Sequence, residues 1–171
     1  QYLKAGDFRG TKYYPSSSAF FYFLCRTIDV APKDFKERFL PVLFNQVVKE
    51  VKKDTVTELF VQDLAMLLYA VSSIAQGYSE DVEITEPVRQ SIMVRVTELM
   101  HVITEKQNQD GSFSASALYC CGSSDTYFGA KSITTALVLR ALQESEALIL
   151  DYKDLSENKI SDDMMAVVSA R

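Results

Sequence analysis

Few side chains in this sequence have the type and spacing that chemistry requires. Two carboxylates come first. Asp63 stands in Val61-Gln62-Asp63-Leu64-Ala65, and Asp125 stands in Ser123-Ser124-Asp125-Thr126-Tyr127. Crowded carboxylates raise one pKa and so keep a proton available for general-acid work, but each of these stands alone. Asp63 reads as a helix-end polar contact and Asp125 as a loop or capping residue, with proton donation the secondary role for both. His101 is the only histidine. It lies in an amphipathic stretch with no cysteine one or two turns away, so neither a zinc site nor a Ser/His/Asp or Cys/His set is expected. No Gly-rich phosphate loop occurs, and no metal or cofactor is expected.

The three cysteines are Cys25, Cys120 and Cys121. Cys25 sits in an apolar run and reads as a small core residue. Cys120 and Cys121 are adjacent, which strains a mutual disulfide. An odd count argues against a disulfide framework and for a reducing compartment, which favours the cytoplasm. The aromatic residues are the remaining candidates. Tyr13, Tyr14, Phe20, Phe21, Tyr22 and Phe23 near one end, with Tyr119, Tyr127 and Phe128 near the other, could line a cavity for an apolar ligand, with Tyr14, Phe20, Tyr22, Tyr127 and Phe128 foremost. Core packing is the competing use of the same rings.

The elements that would position these residues read as helices. Residues 1–15 have no steady period and are taken as irregular. Ser16-Ser17-Ser18 offers N-cap oxygens for a helix of about 17–29, apolar all round. An amphipathic helix of about 33–53 follows, which Pro41 should kink or split. Thr55-Val56-Thr57-Glu58 is a capping box that predicts a helix of about 56–76, apolar on nearly every face and stopped at Gln76-Gly77-Tyr78. Val88, Ile92, Val96, Leu99 and Ile103 form one apolar stripe on a helix of about 86–106. A long loop, 107–130, leads to a mostly apolar helix of about 131–147. Residues 149–160 read as a polar loop, and 161–171 as the start of a sixth helix.

The order is buried, amphipathic, buried, amphipathic, buried, which predicts stacked helical hairpins with inner and outer members. The fold class expected is therefore all-α, a stack of helical pairs arranged as an α/α-toroid-like ring or a solenoid and forming one domain over 1–171. With 171 residues the chain is long enough for one real core. Neither end reads as natural, so the chain is taken as a fragment of a longer one and a partial toroid. Net charge is −5, and the tightest basic cluster, Lys49, Lys52 and Lys53, is interleaved with Glu50 and Asp54. No basic face for nucleic acid results. No apolar run of about 18 residues exists for a transmembrane helix.

One stretch is more specific. Gln107-Asn108-Gln109-Asp110-Gly111-Ser112-Phe113 resembles the Gln-x-x-x-Gly-x-Trp motif of squalene and oxidosqualene cyclases, with Phe113 in place of Trp. Ser132 to Leu142 resembles the inner-helix segment that follows it in the terpenoid cyclase and protein prenyltransferase α/α-toroid superfamily. The likeness covers residues 99–142. In the motif Gln107 should close the outer helix, Gly111 should permit positive φ, and Phe113 should seal the loop.

The resemblance also says what activity would need. A cyclase protonates an alkene with an Asp-x-Asp-Asp cluster, but the aligned positions here are Ser132-Ile133-Thr134-Thr135. A prenyltransferase needs zinc held by Asp, Cys and His. Thioester-type toroids need Cys-Gly-Glu-Gln, where this chain has Cys121-Gly122-Ser123-Ser124. The expectation is a repeat domain without catalysis in this segment. It would bind an apolar, isoprenoid-like ligand, a protein partner or the remainder of its own chain. An active cyclase or prenyltransferase fragment whose acids lie elsewhere, and an interaction toroid like the thioester or cobalamin-binding domains, are the alternatives.

Overall fold

The computed structural model of the chain describes residues 13–14, 16–81, 85–121, 124 and 126–169, with the backbone alone for 77–81 and 155–169. The described residues are all-α apart from one short hairpin. Five α-helices follow in order: α1 (Ser17–Asp29), α2 (Lys33–Val51), α3 (Val61–Asp81), α4 (Glu86–Glu105) and α5 (Lys131–Ser169). A 3-10 turn, Asp54–Glu58, precedes α3, and two short strands, β1 (Tyr119–Cys120) and β2 (Tyr127–Phe128), pair antiparallel ahead of α5. None of the helices searched is long and apolar enough to cross a membrane.

Helix α3 is the hub. It packs against each of the other four helices. Leu64, Met66, Leu67, Leu68, Val71 and Ile74 are all buried along it. Each such side chain contributes about 1.5–3 kcal/mol of transfer free energy. Polar groups lock the neighbours to the hub. Ser145 on α5 donates to the Ala141 carbonyl and pairs with Ser72 of α3 at 2.9 Å, both residues being fully buried. Asp29, at the end of α1, accepts from Tyr69 at 3.4 Å and from Ser73 at 3.1 Å on α3. Arg95 of α4 donates to the carbonyls of Val51 (2.8 Å) and Lys53 (3.0 Å), which serves the open C-terminal end of α2.

Several boundaries differ from the sequence expectation, each for a physical reason. The capping-box residues form the 3-10 turn rather than the start of α3. Val56 is buried there, and α3 begins at Val61, so Phe60 is left 74% exposed. Pro41 does not split α2, which runs through it. Gly77 does not stop α3, which continues to Asp81. The polar segment 149–160 is not a loop, and no separate sixth helix starts at 161. Without a Gly or Pro between 131 and 169 nothing interrupts the backbone, and one long helix, α5, runs through both stretches. Finally, α1 and α5 are not buried all round. Each puts one face on α3 and leaves the other uncovered, as Phe23 (40% exposed) and Leu139 (51%) show.

Candidate functional site

The outer face of α1 carries an apolar groove. Phe20, Phe23, Leu24 and Thr27 recur at i, i+3, i+4 and i+7, which stacks them on one side of the helix. Tyr14, just before the helix, closes one end with its ring 5.1 Å from that of Phe23, edge to face. Ser16 sets this entry angle, since its hydroxyl accepts from the Ala19 N–H at 3.1 Å as the N-cap of α1. The groove is open to solvent and has a volume of about 290 Å³. Thr27, the polar member alongside Tyr14, turns its hydroxyl back to the Phe23 carbonyl at 2.8 Å. No acid or base is among the lining residues.

Beyond Tyr14 the rings continue onto the hairpin. Tyr119 on β1 packs edge to face with Tyr14 and stacks with Tyr13, both at 5.9 Å, and Phe128 on β2 tilts against it at 6.0 Å. The Cys120 N–H donates to the Tyr13 carbonyl at 2.8 Å, which ties the hairpin to the segment entering α1. Gly129 permits this hairpin. A Cβ there would collide with the carbonyl of Ser116.

Of the five aromatic residues assigned to a ligand on sequence grounds, Tyr14 and Phe20 line the groove. Phe128 reaches it through Tyr119. Tyr127 lies exposed opposite Cys120 in the hairpin. Tyr22 is a core residue, 7% exposed and packed against Tyr69 at 5.0 Å, with the Arg26 guanidinium over its ring. Phe23, counted on sequence grounds among the rings that could line a cavity, also lines the groove, whereas sequence reasoning missed Leu24 and Thr27. The i, i+3, i+4, i+7 spacing was the available signal, masked by the assumption that α1 is buried on every side.

The turn after α4 is held by its own residues. The Gln107 amide donates to the Gly111 carbonyl at 2.8 Å, and Gly111 has φ +80°. Gln107 and Phe113 form an isolated antiparallel bridge, and Phe113 is 1% exposed. The Thr-Thr pair of α5 grips the loop segment that follows this turn. Thr135 Oγ1 accepts from the Phe113 N–H at 3.1 Å, and Thr134 Oγ1 accepts from the Ser116 N–H at 3.3 Å. Thr134 in turn donates to the buried Gln62 amide oxygen on α3 at 2.9 Å. The Thr134 and Thr135 hydroxyls are therefore occupied in joining α3, α5 and the loop. Lys131 donates to Asp110 at 2.7 Å, and together with the hydroxyl and N–H of Ser112 it holds that carboxyl well below the usual carboxylate range.

The titratable groups are dispersed. Asp63 lies in the first turn of α3, half-buried. Burial pushes its carboxyl up, and a hydrogen bond from Ser16 opposes the shift. It is not among the groove's lining residues. Asp125 lies outside the described residues. His101 is exposed on α4, 3.5 Å from Glu105. Cys25 is buried against the Ala70 carbonyl, and its thiol is pushed far up by desolvation, so it is not a nucleophile. Cys120 and Cys121 are half-exposed and not joined in a disulfide. Among the described residues no group of three or more His, Cys, Asp or Glu side chains could hold a metal. Comparison with protein-family models, with curated proteins and with solved structures gives no match to this chain.

Proposed function

We propose that this chain is a non-catalytic, partial α/α-toroid of the terpenoid cyclase and prenyltransferase-repeat type that binds an apolar, isoprenoid-like molecule. The observation that carries the reading is the groove on α1. It is built of three rings, a leucine and a threonine, and it offers chain-like hydrocarbon a surface with little polar demand. The packing order supports the toroid part. The odd-numbered helices α1, α3 and α5 lie in a row with α3 in the middle, and α2 and α4 also pack on α3. The non-catalytic part is supported by Thr134 and Thr135, whose hydroxyls serve structure, and by the distance in role between Asp63 and the groove.

The test is binding of farnesol, an uncharged isoprenoid alcohol, followed by intrinsic tyrosine fluorescence, since the chain has no Trp. Saturable binding is expected, weakened at least about tenfold by Phe23→Glu, which places a charge against the ligand at an already exposed position. Absence of saturable binding, or binding that Phe23→Glu leaves unchanged, would overturn the site. Turnover of an isoprenoid substrate that Asp63→Asn or Asp125→Asn abolishes would overturn the non-catalytic reading.

A further inference from the structure

Helix α5 carries a second uncovered face, and its pattern is self-complementary. Thr134, Val138, Ala141, Ser145 and Leu148 are buried towards the interior. At about 100° per residue, the direction opposite that face is occupied by Ala136, Leu139, Gln143, Ala147 and Leu150. All five are exposed, Leu139 at 51% and Leu150 at 60%. They recur at intervals of three, four, four and three residues, the spacing of a helix-pairing seam. All five are uncharged, in a chain of net charge −5.

We infer that this face pairs α5 with α5 of a second copy, antiparallel, about a two-fold axis at Gln143. Around that residue the sequence is size-complementary. Leu139 lies four before it and Ala147 four after, while Ala136 lies seven before and Leu150 seven after. In the antiparallel pair each leucine therefore meets an alanine of the other copy. The register also supplies the holes. Ser132, Thr135, Ala136 and Leu139 stand at i, i+3, i+4 and i+7, the four corners that receive one knob. Leu150 of the other copy falls at their centre.

The structure already holds an open cleft at this place. It measures about 710 Å³ and is lined by those four residues with Ser112 and Lys131 as its far wall. Along one edge of the seam, Arg140 of each copy lies beside Glu144 of the other, so the ion pair that each copy makes internally becomes a network of four charges. A seam of about 21 Å per helix, from Ala136 to Leu150, is at the small end of specific interfaces, so the dimer is a weak one, with a dissociation constant on the order of 10 µM.

The experiment is sedimentation velocity on the 171-residue chain over a wide concentration range, in a Cys120→Ser, Cys121→Ser background. The expected result is a concentration-dependent doubling of mass. Leu139→Glu and Leu150→Glu should each raise the dissociation constant at least about tenfold. Both positions are exposed, so an unchanged circular dichroism spectrum separates lost pairing from lost folding. Gln143→Cys, on the axis, should link two copies through a disulfide under oxidised glutathione, whereas Val94→Cys, 59% exposed on α4, should not. A monomer at every concentration would overturn the inference and leave the face for another segment or protein. So would a dimer insensitive to both glutamates, or one that crosslinks as readily through Val94→Cys.

Discussion

Helices α3 and α5 are written in nearly the same alphabet and sit in different surroundings. In α3 the run Leu64-Ala65-Met66-Leu67-Leu68-Tyr69-Ala70-Val71 is buried at every residue. In α5 the run Ala136-Leu137-Val138-Leu139-Arg140-Ala141-Leu142 buries only Val138 and Ala141 fully. Apolar composition dictates that a helix must cover some surface, but the number of neighbours decides how many faces are covered within the chain. Helix α3 has four neighbours, while α5 packs on α3 and α4. The surplus apolar surface on α5, and likewise on α1, is then available for a ligand or another molecule.

The sharpest way to break this comparison is a matched pair of truncations. Leu67→Ala on α3 should cost about 3 kcal/mol, because Leu67 is fully buried and its loss leaves a cavity. For a chain of this size that lowers Tm by roughly 9 °C. Leu139→Ala on α5 should change the Tm of the dilute protein by less than about 2 °C. Equal effects in calorimetry would contradict the difference in covering.

The next effect is smaller and lies in the loop. Gly129→Ala should destabilise by about 2 kcal/mol, since the new methyl must displace the Ser116 backbone. It should also release the hairpin from Tyr13, which amide hydrogen exchange at Cys120 would report. Thr134→Val tests the joint between the two helices. It keeps the shape but leaves the Gln62 amide oxygen and the Ser116 N–H without their partner. A loss of about 1.5 kcal/mol in urea unfolding is expected, and a neutral result would mean that water replaces the hydroxyl.

The smallest effect concerns Asp63 at the start of α3. Burial raises its pKa in the folded chain above the ordinary value. The folded state therefore disfavours the charge, and this contribution to stability falls as pH rises through the unfolded and then the folded pKa. Asp63→Asn removes the charge. Its expected gain is about 0.5 kcal/mol at neutral pH and close to nothing in acid below both pKa values, measurable as Tm against pH. A loss at neutral pH would show that the bond with Ser16 outweighs the burial.

How far the sequence reveals this structure depends on which force acts at each place. The Ser16 cap, the apolar stripe of α4 and the all-α class are legible because local chemistry decides them. The continuous α5 is not legible from polarity, because outward-facing charges look alike in a loop and on an exposed helix. Phe60 falls inside the helix of about 56–76 expected to be apolar on nearly every face, yet it is exposed, because that helix begins only at Val61. Within the groove, Tyr14, Phe20 and Phe23 were visible as aromatics, but Leu24 and Thr27 were not. Their role follows from which face of α1 the hub leaves bare, and that is a tertiary fact.

The reading of the groove as a site for an apolar, isoprenoid-like molecule is tested most directly by methyl NMR. In a titration with farnesol, the methyl resonances of Leu24 and Thr27 should shift together and saturate, while those of Leu150 on the far face of α5 stay in place. Shifts that spread evenly over both faces, or none at Leu24 and Thr27, would contradict the account.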